Sequence, residues 1–223
     1  MGTKGIQTRQ NIVRQALQLF SSKGFSNTSI NDLLSATKLT KGGLYGHFRS
    51  KEEIWYAVYD QAVRVWRGIV FAGTRDIGDP LQRIERVVEN NMRDYLGGDT
   101  FEGGCFFVNM LVELSGRSGD MRRHILRGFV RFSRLLRFWL EEAEEKGFLR
   151  PGLNFIEISN FLVISFNGAA TLYRSSRDPM IWSQTIKQLK FYIDQLRQPE
   201  IMSAKGETDG AEGVPGENRF GSN

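Results

Sequence analysis

Cysteine and long apolar stretches are scarce in this 223-residue sequence. The single cysteine, Cys105, excludes a disulfide within the chain. The longest nearly apolar run, residues 161–173, is shorter than the roughly 20 residues that a transmembrane helix needs. The first residues contain no apolar stretch of the kind found in signal peptides. We therefore expect a cytoplasmic protein with no membrane partner.

Motifs of enzyme chemistry are also missing. The two histidines, His47 and His124, lie in no metal-binding or nucleophile motif, and the sequence has no glycine-rich phosphate loop or paired-cysteine motif. Cys105 stands in an apolar run, which favours a buried thiol over a reactive one. An enzyme is therefore disfavoured, and we expect neither a cofactor nor a metal.

Acidic residues are nearly absent from the first 51 positions, where eight basic side chains accompany a single carboxylate, Asp32. The whole chain has a net charge of +5, so the remainder is close to neutral. A basic segment on a near-neutral body is typical of a protein that contacts nucleic acid or an anionic surface. A solvated basic face is the alternative.

Apolar residues recur every three or four positions through most of the chain, and no alternating strand pattern appears. This pattern predicts an all-α fold of about nine helices. Residues 105–111 are strongly apolar, and we interpret them as a buried helix, with a strand as the alternative. Composition predicts an N-terminal domain at 1–50, a helical body at 51–198 and a disordered tail at 199–223, which has few large apolar residues.

Two short predicted helices in the N-terminal domain are joined by a tight turn at residues 38–39 and preceded by a longer helix. This order predicts a helix-turn-helix, in which the last helix enters the major groove of DNA. That helix, residues 41–47, contains three glycines, each of which costs about 1 kcal/mol relative to alanine in a helix interior. Bare glycines favour a close approach of the backbone to DNA, and Thr40 and Lys41 offer hydrogen bonds at the helix start.

The residues of this region resemble those of the TetR family of bacterial transcription regulators. The shared features are Gly24-Phe25, Thr-Ser-Ile-Asn-Asp-Leu at 28–33, Lys-Gly-Gly-Leu-Tyr-Gly-His-Phe at 41–48 and Lys-Glu-Glu at 51–53. Their order, spacing and types agree over about the first 55 residues. Lys38 departs from the family, where glycine is common in the turn, and we expect a left-handed backbone there.

The resemblance implies which residues contact DNA. It assigns phosphate-backbone contacts to Thr28, Tyr45, His47 and Lys51, and base contacts to Thr40, Lys41 and Gly43. Lys51 also begins a helix, whose backbone amides help to hold a phosphate. A packing role is the alternative for Tyr45 and for His47.

A dimer is expected because one helix-turn-helix reads few base pairs, whereas paired recognition helices match successive major grooves. Residues 154–173 are apolar on nearly every side, which predicts a buried helix. In the family the last two helices form a four-helix bundle between subunits. The expected dimer residues are Phe161, Ile164, Gly168, Leu172, Leu189 and Ile193, and an ordinary monomer core is the alternative.

Large aromatic and methionine side chains are concentrated in the middle of the chain, where family members bind an effector. A cavity lined by such residues suits an apolar or aromatic ligand. Plain core packing is the alternative for each of them. The candidate ligand-binding residues are Trp66, Met92, Tyr95, Phe106, Asn109, Glu113, Phe132 and Trp139.

Several arginines at positions 123–137 fall on one face of a predicted helix, and glutamates follow them. A solvated face with local ion pairs is the favoured interpretation. An anionic effector such as an acyl-coenzyme A is the alternative ligand for this face.

Together these features predict a ligand-responsive, homodimeric DNA-binding transcription regulator, most simply a repressor that a small apolar or aromatic effector releases from its operator. Its partners would be double-stranded operator DNA, a second copy of the chain and that effector. An activator with the same fold and a protein-interaction module without operator recognition are the alternatives.

Overall fold

The computed structural model describes residues 2–116 and 119–199, so the predicted tail lies outside the described residues except for Pro199. The described chain forms nine α-helices and a π-helical segment, and the all-α prediction is confirmed. The elements are α1 (Thr3–Lys23), α2 (Ile30–Thr37), α3 (Lys41–Tyr45), α4 (Lys51–Val70), α5 (Pro80–Glu89), the π segment (Asn90–Leu96), α6 (Phe106–Leu114), α7 (Gly119–Glu145), α8 (Phe155–Ser176) and α9 (Pro179–Asp194).

The start of α2 is held by a capping box between Ser29 and Asp32. Ser29 Oγ accepts a hydrogen bond from the Asp32 amide at 3.1 Å, and Asp32 Oδ2 accepts one from the Ser29 amide at 2.7 Å. Hydrogen bonds from the Ser29 side chain and backbone, together with Lys23, lower the pKa of Asp32 to about 2. The box fixes where α2 begins and so where the helix-turn-helix is placed.

The start of α4 carries only half of such a box. Ser50 Oγ accepts from the Glu53 amide at 3.2 Å, as expected of a cap. The Glu53 carboxylate accepts from the Arg49 amide at 2.7 Å rather than from Ser50, so the reciprocal bond is made one residue earlier. The shift by one residue ties the loop after α3 to the first turn of α4.

The apolar segment at residues 105–111 forms the cap and most of helix α6. It is therefore a helix and not the alternative strand. The helix predicted at 81–96 is continuous, but its second half has π-helical hydrogen bonding from Asn90 to Leu96. π-Helical turns are rare and are often found at functional sites. This one forms part of the wall of an internal cavity.

The N-terminal head (α1–α3) packs on the body (α4–α9) mainly through α1 against α4, and within the body α7 packs on α5, α6 and α8. A buried ion-pair cluster around Arg197, which the sequence did not predict, stabilises the C-terminal end of the body. Arg197 is only 2% exposed, and its guanidinium lies 2.8 Å from Asp79 and 3.4 Å from Glu85. The chain after α9 is thereby tied to the start of α5.

Candidate DNA-binding surface and ligand cavity

The turn between α2 and α3 presents α3 at the surface of the head. Lys38 has the expected left-handed backbone, with φ +57°. Leu44 and Phe48 are buried and fix α3 from behind, while Thr40 and Lys41 are exposed in front. Thr40 also caps α3, since its Oγ1 accepts from the Gly43 amide at 3.2 Å.

The glycines of α3 leave part of its backbone uncovered. A Cβ added at Gly42 would meet no atom within 4 Å, so packing within the protein does not require glycine there. At Gly43 a Cβ would lie 3.4 Å from Thr40 Oγ1, which leaves little spare room beside the cap. The exposed backbone at Gly42 therefore allows a close approach by another molecule.

Tyr45, His47 and Lys51, the other predicted phosphate contacts, are each at least partly accessible. Tyr45 is 39% exposed. His47 is half-buried, and its Nδ1 has no hydrogen-bond partner among the described residues. Lys51 Nζ lies 4.3 Å from the centre of the Phe25 ring, and partial burial lowers its pKa. The lysine is held in a defined place at the edge of the head.

Thr28 does not fit the role predicted for it. Its side chain is fully buried, and its hydroxyl donates to the Gly24 carbonyl oxygen at 2.7 Å. Its amide donates to the Phe25 carbonyl oxygen at 3.3 Å. Both groups are used inside the turn before α2, so the predicted phosphate contact of Thr28 is contradicted by its position.

The basic charge of the head is poorly compensated. Lys23 lies 3.2 Å from Asp32, which is the single carboxylate of the first 51 positions. Within the described residues, no other basic side chain of this segment forms an ion pair. Arg9 stacks on the Phe48 ring at 4.5 Å instead. The head therefore presents a net positive surface, as a DNA-binding domain requires.

The body encloses a cavity of about 380 Å³ between α4, the π segment, α7 and α8. Eight aromatic side chains line it, and several of their rings meet edge to face, for example Trp66 and Phe132 at 5.0 Å between ring centres. Its volume is within the usual range for small-molecule sites. The aromatic wall residues are Tyr59, Trp66, Phe71, Tyr95, Phe107, Phe129, Phe132 and Phe166.

The structure brings three of the predicted ligand-binding residues to this cavity, namely Trp66, Tyr95 and Phe132. It places Met92 and Phe106 fully within the core, where no part of either side chain reaches the cavity. Trp139, Asn109 and Glu113 also lie outside the cavity lining. The predicted ligand contact of these five residues therefore stays a prediction that the lining of this cavity does not support. Sequence reasoning missed several wall residues, of which Phe107 is the most informative because it neighbours the predicted Phe106.

Asn109 and Glu113 hold distant segments of the chain together through hydrogen bonds to their side chains. Asn109 Nδ2 donates to the Gly103 carbonyl oxygen at 2.7 Å, and Asn109 Oδ1 accepts from Arg174 on α8. Glu113 Oε2 accepts from the Phe25 amide at 2.9 Å, and its Oε1 accepts from the Ser26 amide at 2.5 Å. Glu113 thus fastens the end of α6 to the turn between α1 and α2.

Cys105 lines the cavity, and its Sγ lies 3.6 Å from the Tyr95 hydroxyl. Burial raises the pKa of the Cys105 thiol. Burial also raises the pKa of Tyr95 well above its usual value. The thiol is therefore protonated at neutral pH, in agreement with the unreactive, buried cysteine that the sequence predicts.

An apolar strip on α8 is exposed on the described protomer. Phe161, Ile164, Gly168 and Leu172 are all exposed, and their spacing places them on one face of the helix. The other face of α8 packs into the body. Within one protomer, therefore, α8 is buried on one side only, whereas the sequence predicts burial on every side.

The predicted dimer residues of α9 have a different position. Leu189 and Ile193 are buried in the core of the same protomer, so their predicted intersubunit contact is contradicted. Phe191, which was not predicted, is 63% exposed on the same helix. Periodicity identified α9 as amphipathic but assigned the wrong face to the partner.

α8 is also the one helix of the described residues that is long and apolar enough to cross a membrane, with a mean hydropathy of 1.3 over its most apolar window. One such helix is weak evidence, because partly buried helices of soluble proteins meet the same criterion. Its exposed side chains and its contacts with α7 and α9 suit a helix between subunits as well.

Two family models match this chain. The model described as "Bacterial regulatory proteins, tetR family" matches residues 12–58, which contain the helix-turn-helix. The model described as "Tetracyclin repressor-like, C-terminal domain" matches residues 80–189, which contain most of the body. The two matches together cover both the head and the cavity-bearing region.

Several individual regulators are similar to this chain over most of their length. The HTH-type transcriptional repressor DhaR of Mycobacterium sp. (strain GP1) is 27% identical over 76% of this chain and 84% of that protein. A TetR transcriptional regulator from Chloroflexus aurantiacus superposes with a TM-score of 0.81 at 27% identity, over 88% of this chain and 98% of that one. AibR, solved with isovaleryl coenzyme A and operator DNA, has the same fold, with a TM-score of 0.62 at 21% identity over 82% and 97% of the two chains.

Proposed function

Because the chain belongs to the TetR family of DNA-binding transcription regulators, we propose that it is a homodimeric repressor which a small, largely aromatic ligand releases from its operator. In this proposal residues 1–50 bind DNA, and residues 51–198 bind the ligand and form the dimer. The chain is a regulator and not an enzyme.

The observation that carries the proposal is the position of α6. Near its N-terminal end Phe107 forms part of the cavity wall, and at its C-terminal end Glu113 holds the turn between α1 and α2. A ligand that moves Phe107 would move a short, continuous helix attached to the DNA-binding head. Contiguous packing of this kind couples two sites when each site favours a different position of the shared element.

The surface of α3 supports the DNA contacts. Thr40 and Lys41 are exposed at its N-terminal end, which is the part of a recognition helix that reaches base edges. Gly43 adjoins them, so we assign base contacts to these three residues. Tyr45, His47 and Lys51 are at least partly accessible and are assigned to the phosphate backbone.

The exposed strip on α8 supports the dimer. Phe161, Ile164 and Leu172 are large apolar residues on one helix face, and a contiguous exposed apolar face marks a protein interface in soluble proteins. A twofold axis through this strip would pair it with the same strip of a second copy. The relatives named as repressors, including DhaR, support repression as the mode of action.

The DNA-binding part is tested by selecting bound sequences from random double-stranded DNA and measuring affinity for selected and scrambled duplexes by fluorescence anisotropy. Lys41→Ala is expected to change base preference. Tyr45→Ala is expected to weaken both duplexes alike, and the affinity of each protein should fall steeply with salt. Lys187→Ala, which changes an exposed side chain on α9, is the control and should change neither base preference nor affinity. If no sequence is enriched, operator recognition is refuted.

The dimer is tested by Ile164→Glu, which places a charge on a side chain that is 68% exposed in the protomer. Val112→Glu is a matched control because Val112 is 67% exposed but lies on α6, outside the strip. Sedimentation equilibrium should give a monomer for the first variant and a dimer for the second. A dimeric Ile164→Glu variant would place the interface elsewhere.

A further inference from the structure

Positive charge lines the cavity from both α4 and α7. Arg67 on α4 and Arg131 on α7 are lining residues, and both are exposed. Within the described residues neither arginine forms an ion pair with a carboxylate, although Arg131 also interacts with the Tyr59 hydroxyl. Each guanidinium has five N–H donors, and such groups bind carboxylates well.

A polar side chain with an unused donor, Asn91, lies in the wall of the cavity. This residue of the π segment is 5% exposed and lines the cavity. Its Oδ1 lies 3.5 Å from Trp66 Nε1, but its Nδ2 donates to no described residue. The donor is therefore available to an oxygen atom of a bound molecule.

The local electrostatics favour an anion despite one nearby carboxylate. Asp60 also lines the cavity and opposes the arginines. At Tyr59 burial is the main cause of a raised pKa, and the lowering effect of Arg131 exceeds the raising effect of Asp60. At His124 burial and then Arg127 lower the pKa, and the raising effect of Asp60 exceeds the lowering effect of Arg131. The lining nevertheless contains two arginines, Arg67 and Arg131, against the single carboxylate of Asp60, so its net charge is positive.

We infer that the cavity binds the anion of an oxygen-bearing aromatic carboxylic acid, with its ring among the aromatic walls, its carboxylate between Arg67 and Arg131, and a ring oxygen at the Asn91 amide. The volume of about 380 Å³ equals that of about 13 water molecules at ~30 Å³ each, which suits one or two fused rings with two small substituents. This inference deepens the proposed function and rests on the cavity being its ligand site.

The test is calorimetric titration of the full chain, without DNA, with three probes: 6-hydroxy-2-naphthoate, its uncharged amide and unsubstituted 2-naphthoate. The hydroxy acid is expected to bind about tenfold more tightly than its amide, because charge-assisted hydrogen bonds are roughly twice as strong as neutral ones. It should also bind more tightly than the acid without the hydroxyl group, since only the former satisfies Asn91.

Variants assign the effect to residues. Arg67→Gln and Arg131→Gln should each lower affinity for the hydroxy acid about tenfold and leave the amide within about twofold. Asp60→Asn should raise affinity for the acid only. Arg134→Gln is the matched control, since it is exposed on α7 but does not line the cavity. Asn91→Leu should reduce the hydroxy acid to the affinity of the unsubstituted one.

Equal affinity for acid and amide, or failure of every probe to bind, would overturn the inference. The same acids are then added to the protein on its selected operator. Tight binding of the acid without release of DNA would leave the ligand class standing and refute ligand-induced release. Release of DNA by other compounds, with no binding of the acids, would refute the ligand class alone.

Discussion

Glu113→Ala removes the carboxylate that fastens α6 to the turn between α1 and α2. In the structure this carboxylate accepts hydrogen bonds from two consecutive backbone amides, those of Phe25 and Ser26. If the body positions the head through this contact, the variant should bind operator DNA more weakly while its helical content stays unchanged. The effect would reach DNA from a residue that touches neither DNA nor ligand.

The size of the effect follows from the two bonds. Hydrogen bonds to charged groups contribute about 1.5–3 kcal/mol each, but this site is half-buried and water can replace part of the lost interaction. We therefore expect a loss of about 2–3 kcal/mol in docking of the head, which corresponds to at most about a 100-fold loss of operator affinity. Glu113→Gln should lose most of this, because an amide has only one acceptor oxygen.

Gly24 provides a stringent check on the same contact. Its φ is +87°, and a Cβ there would lie 2.7 Å from Glu113 Oε2. Gly24→Ala therefore combines backbone strain with a steric conflict, whereas in the Glu113→Ala background only the strain remains. The double-mutant cycle, measured by urea unfolding and by operator affinity, should give a coupling of about 1 kcal/mol or more. Glu144→Ala, exposed on α7, is the control. Additive effects, or unchanged DNA affinity in Glu113→Ala, would refute the coupling.

Arg197→Ala leaves three carboxylates, those of Asp79, Glu85 and Asp194, without their buried cation and should lower the free energy of unfolding by about 3 kcal/mol in urea titrations. A loss below about 1 kcal/mol would mean that water compensates. Asp32 has a folded-state pKa of about 2, below the ordinary aspartate pKa of 3.8, so its carboxylate stabilises the folded state above the higher value, and this stabilisation is lost as the pH falls towards the lower one. Asp32→Asn should therefore be less stable than wild type at neutral pH and equally stable near pH 2; a constant difference would refute the assignment. Gly128→Ala would force a Cβ against the Tyr59 hydroxyl and should lower the free energy of unfolding by about 1–3 kcal/mol, as measured by thermal melts. Gly68→Ala is the control, because Gly68 is an exposed position of α4 with no neighbour within 4 Å, and the substitution should be neutral or stabilising.

Features set by short sequence spacing were predictable. The Ser29–Asp32 box, the Thr40 cap and the left-handed turn at Lys38 each depend on residues within a few positions of one another. The type of each element also followed from periodicity, because apolar stripes at helical spacing must face a core. The change to π-helical bonding after Glu89 did not follow, since residues 81–96 keep an ordinary helical pattern.

Positions set by packing between distant elements were not predictable in the same way. Glu113 stands in an apolar helix and was therefore expected to face a ligand, but its partners are the amides of Phe25 and Ser26, 88 and 87 positions earlier. Leu189 and Ile193 share an apolar stripe with no mark that separates an internal contact from an intersubunit one. Phe106 and Phe107 are chemically identical neighbours, and only the rotation of α6 decides which of them reaches the cavity.

The short length of α6 explains how one helix can connect the cavity with the turn between α1 and α2. Residues 107 and 113 are six positions apart, about 9 Å along a helix axis at 1.5 Å per residue. Over that length a hydrogen-bonded helix transmits a shift at one end to the other with little bending, so the aromatic wall and the fastened turn cannot move independently. A ligand with equal affinity for both positions of Phe107 would shift nothing. In the proposed mechanism, the release of DNA would therefore depend on how strongly the bound molecule distinguishes the two positions, and the contacts of the ligand with α6, more than its overall affinity, would select an effective inducer.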